Sequence, residues 1–285
     1  MSIILKNISY VYMAKTPYEQ TAIKNINIEI KHGEFVGIIG HTGSGKSTLL
    51  QHLNGLLKPT TGMVSVDGQD INLKGVAAQN AKRSVGMVFQ YPEHQLFEET
   101  VYDDIAFGPR NIGIEEIEVD ARVKKAMNFV GLEFDEFATR TPFQLSGGQM
   151  RRVAIAGVIA LEPAYLILDE PSAGLDPRGR DEIFGQIIEM YKNTGITVVL
   201  VSHNMEDVAR MANRLIVMNC GEISLDGAPT EIFRDHQAEL QAAGVNVPPL
   251  TALMNRFQQR GLAVDNTVVT MDAAAESIVT AIGRR

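Results

Sequence analysis

Runs of consecutive apolar residues, many of them β-branched, recur along the chain and predict strands of a buried sheet. Thr197–Val201 is the clearest run, with the continuous apolar character of a strand that is covered on both faces. Phe35–Ile39 and Tyr165–Leu168 are similar, and each leads directly into a polar sequence. Near the amino terminus, strand patterns also occupy Ile3–Tyr12 and Ala22–Ile30.

Helical patterns separate several of these strands. Val64–Val66 before Asp67-Gly68 predicts a hairpin edge, and the segments on either side of Cys220 predict a second hairpin. Because strands alternate with helices, we expect an α/β fold with a mostly parallel sheet covered on both sides. The predicted helices are Ser47–Leu53, Val119–Val130, Gln149–Leu161, about 178–192 and Thr230–Arg234, and a further strand is Ser84–Phe89.

The length of 285 residues leaves room for one large domain and a small appendage. The character of the sequence changes after Asp226–Pro229, so we expect a main domain over 1–234 and a carboxyl-terminal extension over 235–285. Two weak helical patterns surround Thr267–Val269 in the extension, which predicts a small α/β unit.

Charge and cysteine content narrow the function classes. With 26 basic and 34 acidic residues the net charge is −8, the wrong sign for a protein that coats nucleic acid. The single cysteine, Cys220, cannot form an internal disulfide and favours a reducing compartment. We find no signal-peptide pattern and no run of apolar residues long enough to span a bilayer. We therefore expect a cytoplasmic protein whose membrane role, if any, depends on partners.

A glycine-rich segment between the strand Phe35–Ile39 and the following helix fits the phosphate-binding loop pattern in full. Glycines let successive backbone N–H groups turn towards the phosphates, and the helix N-terminus adds its positive dipole end. In such loops the lysine reaches the β- and γ-phosphates and the hydroxyl next to it ligates magnesium. An accidental glycine-rich turn is the alternative interpretation. The segment consists of Gly40, His41, Thr42, Gly43, Ser44, Gly45, Lys46, Ser47 and Thr48.

Two carboxylates, Asp169 and Glu170, follow the strand Tyr165–Leu168. The carboxyl end of this strand lies at the same edge of a parallel sheet as the phosphate-binding loop. We therefore expect Asp169 in the magnesium shell and Glu170 beside the attacking water. An acidic pair after a strand is common by chance, and only the preceding phosphate loop favours the functional interpretation.

The residues just before the predicted helix Gln149–Leu161 have the composition of a second anion-binding helix start. A serine and two glycines there expose a hydroxyl and helix N-terminal amides. One chain with two phosphate-binding helix ends is unexpected for a single nucleotide. The residues are Leu145, Ser146, Gly147, Gly148 and Gln149. With this motif the sequence resembles the ATP-binding cassette (ABC) family, whose signature is LSGGQ.

The resemblance implies a fold and a set of site residues. The fold has a mostly parallel sheet, an antiparallel β subdomain and a helical subdomain over about 91–160. The family pattern places Tyr12 against adenine, Gln90 at magnesium and His203 at the γ-phosphate. It also implies that the signature and the D-loop residue Asp176 act on the nucleotide of a second cassette. A core role for Tyr12 and a structural role for His203 are the alternatives.

The segment from Tyr91 to Pro109, with the phrases QLFEETV and AFGP, resembles the ATPases of energy-coupling factor transporters, in particular the second (EcfA-prime) type. That resemblance implies ATP and magnesium as ligands, a second related ATPase in a heterodimer, a transmembrane coupling subunit and small substrate-binding membrane subunits. It implies uptake of vitamins or metal ions, at the cytoplasmic face of the membrane. Glu93, Glu98 and Glu99 would pair with arginines of the coupling subunit. A solvated acidic loop is the alternative.

The extension resembles the short carboxyl-terminal unit that helps hold such ATPases together as dimers. Its apolar residues at helical spacing fit that contact and an intramolecular core equally well. They are Leu250, Leu253, Met254 and Phe257.

Three other functions compete with this interpretation. A conventional ABC importer is the nearest alternative. A soluble cassette ATPase that acts on nucleic acid usually has two cassettes or a long coiled coil, and this chain shows neither pattern. A non-hydrolysing regulatory cassette is disfavoured by intact Gln90, Glu170 and His203.

Overall fold

The computed structural model describes residues 1–268 and 270–283, so that Val269, Arg284 and Arg285 lie outside the described residues. The ten strands are β1 (Ser2–Tyr12), β2 (Gln20–Lys31), β3 (Phe35–Ile39), β4 (Thr61–Val66), β5 (Gln69–Asp70), β6 (Val85–Val88), β7 (Tyr165–Asp169), β8 (Thr197–Val201), β9 (Arg214–Asn219) and β10 (Glu222–Gly227). The helices are α1 (Lys46–Leu53), α2 (Val76–Arg83), α3 (Val101–Asn111), α4 (Glu116–Phe129), α5 (Phe134–Phe137), α6 (Gly147–Ile159), α7 (Pro177–Thr194), α8 (Met205–Met211), α9 (Pro229–Asp235), α10 (Gln237–Ala242), α11 (Pro249–Gln259) and α12 (Met271–Gly283).

A six-stranded sheet with the order β10-β9-β3-β8-β7-β6 forms the centre of the main domain. All of its neighbouring strands run parallel except the β9–β10 hairpin. The register pairs Phe35 with Val198 and Leu166 with Val198, so β8 lies between the two strands that lead into the polar motifs. The predicted α/β fold with a mostly parallel sheet is confirmed.

A second, antiparallel sheet has the order β2-β1-β4-β5. It contains the predicted amino-terminal strands and the hairpin at Asp67-Gly68, where Ser65 pairs with Asp70. This sheet packs over one face of the central sheet and over α1 in a shared apolar cluster. The antiparallel β subdomain is therefore present.

The central strands bury side chains on both faces, as their continuous apolar sequences predict. In β7, Leu166 and Leu168 pack on the side of the helices α3 to α7. Tyr165 and Ile167 point the other way, towards the antiparallel sheet. Because side chains alternate along a strand, one apolar strand connects the two cores.

Helices α3 to α6 form the helical subdomain. The predicted helices Val119–Val130 and Gln149–Leu161 correspond to α4 and α6, which begin two or three residues earlier than the pattern indicates. Helix α3 was not recognised from its hydrophobic pattern. Its N-cap Thr100, which accepts a hydrogen bond from the Asp103 N–H, was the available signal.

In the part that the structure describes, the carboxyl-terminal extension consists of helices joined by loops. The strand expected at Thr267–Val269 includes Val269, which lies outside the described residues. Residues up to Val245 pack against the main domain next to Ile39. A separate small cluster contains Met254 and Val264, with Leu250 and Phe257 packed against it. The intramolecular alternative therefore accounts for these residues, while Leu253 remains exposed.

Candidate functional site

The glycine-rich loop leaves β3 and ends in α1 as predicted. Its backbone is left-handed at Gly43 and at Gly45, the residue that caps α1 without any side-chain hydrogen bond. A Cβ atom at Gly45 would lie 2.7 Å from the Ala22 carbonyl oxygen and 2.9 Å from Ile23 Cγ2. Glycine is thus required at this position by both conformation and space. The first amides of α1 have no side chain that caps them and face the cavity of the loop.

Lys46 lies at the start of α1 and is largely buried. Its ammonium donates to the carbonyl oxygens of Gly40 at 2.8 Å and His41 at 3.0 Å. Burial lowers the pKa of Lys46, while the negative charges of Glu170 and Asp169 oppose that shift. Two backbone carbonyl groups therefore hold the ammonium inside the loop.

The two predicted carboxylates have different surroundings. Asp169 ends β7 and is buried, and burial raises its pKa, against a hydrogen bond from Ser47. Glu170 has a φ of 50°, an uncommon conformation for a residue other than glycine. Its carboxylate lies 2.7 Å from His203 Nε2 and accepts a hydrogen bond from Gln90 Nε2 at 3.2 Å. The structure thus brings together residues from four separate parts of the sequence.

A cavity of about 400 Å³ contains most of the predicted nucleotide residues. The Tyr12 hydroxyl is 3.2 Å from Thr48 Oγ1, and the Tyr12 ring is partly exposed at the cavity wall. This position combines an apolar face with an open side, as a stacking residue requires. The lining residues are Tyr12, Gln20, Thr21, Ala22, Thr42, Gly43, Gly45, Lys46, Ser47, Thr48, Gln90, Glu170 and His203.

The signature residues lie elsewhere, at a second cavity of about 430 Å³. Ser146 Oγ accepts a hydrogen bond from the Gln149 N–H at 3.3 Å, and Gln149 Oε1 accepts one from the Ser146 N–H at 2.9 Å. This reciprocal pair is a capping box at the start of α6. Asp176, which lines the same cavity, caps α7 through the Gly179 N–H at 2.8 Å. The two helix starts that the sequence predicts as anion-facing surfaces therefore line separate cavities.

The acidic residues of the predicted coupling surface divide into two groups. Glu93 is half-buried and forms an ion pair with the buried Arg151, with an N–O distance of 2.9 Å. Arg151 also donates a hydrogen bond to the Ala173 carbonyl oxygen. The prediction that Glu93 offers its charge to a partner is corrected, because Arg151 already neutralises it. Glu99 is exposed and Glu98 is half-exposed beside it. Phe97 and Phe107 are exposed nearby with their rings 4.8 Å apart.

Several residues that contact the site belong to no recognisable sequence motif. Gln20, Thr21 and Ala22 enter the cavity from β2. The turn after β9 supports the loop, since the Gly221 N–H donates to the Ser44 carbonyl oxygen at 3.0 Å. Such residues are brought to the loop only by the packing of the two sheets.

Comparisons with known proteins agree with this geometry. The ABC transporter family model matches residues 23–173. The energy-coupling factor transporter ATP-binding protein EcfA2 of Clostridium perfringens is 53% identical over 282 residues, 99% of each chain. The protein of the same name from Clostridium tetani is 50% identical, over 98% of this chain and 96% of the relative.

Solved structures extend the similarity to the fold. The structure of cbiO1 from Clostridium perfringens, described as part of the ABC transporter complex cbiONQ, has a TM-score of 0.72 and 38% identity, over 84% of this chain and 94% of that one. A dimeric, post-hydrolysis ATP-binding cassette, MJ0796 with ADP and Pi, has a TM-score of 0.72 and 32% identity, over 80% of this chain and 98% of that one. No helix among the described residues is both long and apolar enough to cross a membrane. The chain therefore belongs to the ABC transporter family and, within it, to the ATP-binding, ATP-hydrolysing subunits of energy-coupling factor transporters.

Proposed function

We propose that this chain binds ATP in the Lys46 cavity and hydrolyses it only when a second cassette closes over that cavity. The observation that supports this most strongly is the separation of the two anion-facing surfaces, one at Lys46 and one at Ser146, into different cavities. We therefore expect one bound nucleotide to contact only the first of these surfaces on its own chain. In a head-to-tail pair each surface would face the other, so that Leu145–Gln149 and Asp176 complete the site of the partner.

Different residues of the cavity bind the phosphates and activate the water. Lys46 and the amides of α1 hold the β- and γ-phosphates. Glu170 orients and polarises the attacking water. His203 and Gln90 contact the Glu170 carboxylate and hold that side chain in place. His203 also reaches the γ-phosphate. Catalysis then consists of positioning and electrostatic stabilisation, with no covalent step on the protein.

We also propose magnesium as the metal of this site. Ser47 and Asp169 are hydrogen-bonded neighbours, and Gln90 contributes an amide oxygen from the same cavity. Oxygen donors of this kind suit magnesium, which needs few protein ligands beside phosphate and water. When bound, magnesium would neutralise phosphate charge, while the chain's own residues keep the donors in place.

The partners follow from the relatives and from the exposed surface at Phe97–Glu99. We propose a heterodimer with a related ATPase, attached to the cytoplasmic face of the membrane through a transmembrane coupling subunit. Small substrate-binding membrane subunits would select vitamins or metal ions for uptake. On this chain, Phe97 and Phe107 supply apolar contact area, and Glu98 and Glu99 supply negative charge for basic residues of the coupling subunit.

The substitution Glu170→Gln tests the proposed function. It keeps the shape of the side chain but replaces the carboxylate with a neutral amide, so we expect ATP binding to persist and turnover to fall by at least about 100-fold. ATP should also trap a closed pair, detectable by size-exclusion chromatography. Glu162→Gln is a matched control, because Glu162 shares the left-handed backbone conformation but lies outside the cavity. Normal turnover in Glu170→Gln would refute the role of Glu170.

Identification of co-purified chains tests the partners. The tagged protein, extracted from membranes in mild detergent, should bring a related ATPase, one larger membrane protein and several small ones. Recovery with a periplasmic-type binding protein instead would favour a conventional importer, and recovery with nucleic acid would exclude the proposal.

A further inference from the structure

Asp207 is an unusually buried carboxylate outside the nucleotide cavity. Among the described residues only Asp169 and Asp207 are acidic side chains that are fully buried. Asp207 is 2% exposed, and its Oδ1 accepts a hydrogen bond from Arg180 Nη2 at 2.6 Å. A buried charge is costly unless it is paired, so the contact with Arg180 offsets part of the cost of burying Asp207.

The pair joins the starts of two helices that carry proposed site residues. Arg180 lies in the first turn of α7, where its N–H donates to the carbonyl oxygen of Asp176 at 3.0 Å. Asp207 lies in the first turn of α8, whose N-cap, Asn204, directly follows His203. The contact therefore connects the Asp176 segment to the His203 segment over a short path.

Helix electrostatics explain only half of this pair. A carboxylate in a first turn, such as Asp207, is stabilised by the positive end of the helix. A guanidinium in a first turn is not, so the position of Arg180 is unfavourable for α7 itself. Its placement there is explained by the contact with Asp207, which fixes one helix start against the other.

The contact is also incomplete. Arg180 Nε and Asp207 Oδ2 are buried without hydrogen-bond partners, so that the pair uses one of the two bonds of a bidentate arrangement. A cavity of about 280 Å³ borders both side chains and is lined on its other side by Pro248, Leu250 and Thr251 of the extension. The charge pairing of the two helix starts therefore depends on the one bond between Arg180 Nη2 and Asp207 Oδ1.

We propose that Arg180 and Asp207 are positioning residues that transmit movement between the Asp176 segment and the His203 segment. Contact of Asp176 with a second cassette would displace the start of α7, and the pair would carry that displacement to His203 and its neighbour Glu170. The inference rests on the proposed functions of Asp176 and His203. It adds a route by which closure of the pair of cassettes aligns the hydrolytic residues.

Steady-state ATPase kinetics of the full-length chain, in the assembly in which it is isolated, test this proposal. For Asp207→Ala we expect kcat to fall about tenfold with the KM for ATP changed less than about twofold, because the phosphate-binding loop is untouched. The double variant Arg180→Asp with Asp207→Arg, which exchanges the two charges, should recover at least about half of the loss in log kcat, as coupled residues do in double-mutant cycles. If Asp207→Ala does not fold, Asp207→Asn replaces it, with the same expected direction.

Asp226→Ala is the matched control. It breaks the Arg214–Asp226 pair, 2.7 Å long and half-buried, between two strands that carry no proposed catalytic residue. We expect normal kcat in Asp226→Ala. Equal losses of kcat in the control and in Asp207→Ala, an unchanged kcat in folded Asp207 variants, or no recovery in the exchanged pair would each overturn the proposal.

Two further variants separate this inference from the proposed function. Asp176→Ala and His203→Ala should each lower kcat. If they do not, the proposed roles of those residues are wrong and the inference falls with them. If they do and the Asp207 variants keep normal kcat, only the transmission through Arg180 and Asp207 is refuted.

Discussion

The two helix starts proposed to face anions, at α1 and α6, differ in how their first backbone amides are capped. At α1 the cap is Gly45, which has no side chain, so the first amides remain open to a ligand. At α6 the cap is Ser146, whose hydroxyl accepts a hydrogen bond from the Gln149 N–H at 3.3 Å. In return, the Ser146 N–H donates to Gln149 Oε1 at 2.9 Å. No side chain caps the first amides of α1, whereas α6 is partly capped by its own side chains.

The difference suggests an order of events. The open surface at α1 is supported from below by the central sheet and by Gly221, and Lys46 is already directed into it. It can bind a nucleotide without the second surface. At α6 the capping box satisfies the Ser146 and Gln149 amides in the free chain, while no side chain caps the amides of Gly147 and Gly148. Binding at α1 should therefore survive changes at α6, while turnover should depend on both.

The largest expected effect is that of Gly45→Ala at the open surface. The new Cβ meets the Ala22 carbonyl oxygen at 2.7 Å in a left-handed conformation, and strain of a few kcal/mol should weaken ATP affinity about 100-fold. Equilibrium binding of a fluorescent ATP analogue measures this. Gly68→Ala is the control, because Gly68 is also left-handed but a Cβ there meets nothing within 4 Å. Equal binding by both variants would show that the loop tolerates rearrangement.

A smaller effect is expected for Ser146→Ala at the start of α6. ATP affinity should stay within about twofold and kcat should fall about tenfold, because the hydroxyl is needed only in the closed pair. The loss of an N-cap should also cost about 1 kcal/mol of stability, measured by chemical denaturation. Thr270→Ala removes a hydrogen bond of the same kind, from the Ala273 N–H at 3.4 Å, and should leave kcat unchanged. Weakened ATP binding in Ser146→Ala would contradict the division between the surfaces.

The smallest effect is expected for Gln149, whose side chain caps α6 from within. Gln149→Ala should lower kcat only about twofold, since a capping box contributes little beyond the N-cap itself. Gln149→Glu preserves the capping box but adds a negative charge where the phosphate of a second cassette would lie. Gln149→Glu should therefore be more stable and yet slower than Gln149→Ala. If the glutamate variant is the faster enzyme, α6 does not face an anion.

The sequence was most informative where local chemistry and hydrophobic pattern agreed. The continuous apolar runs of β3, β7 and β8 identified a sheet buried on both faces, and each strand position agrees with its predicted range to within one residue. The glycines around Lys46 were recognisable because a left-handed backbone is needed there. Helices α2, α3, α5 and α8 were missed, and α3 contains Gly108 and Pro109, two residues that disfavour a helix interior.

Surface and charge were less predictable, since both depend on neighbours that are distant in the sequence. Glu93, Glu98 and Glu99 look equivalent in the sequence, yet Arg151, 58 positions from Glu93, neutralises that residue alone. The extension shows the same limit. Its apolar spacing was compatible with a dimer contact and with a core. The structure shows that Met254 packs with Val264 in a small core, and the dimer contact stays a prediction.

By itself, the sequence determined the fold class, the phosphate-binding loop, the acidic pair after β7 and the signature, because each depends on residues that are close together along the chain. Only the tertiary structure decided that the loop and the signature face different cavities, that Glu170 contacts His203 and Gln90, and that Arg180 reaches Asp207. These contacts depend on how helices and sheets pack. Packing is fixed by the sum of many small apolar contacts rather than by any local motif.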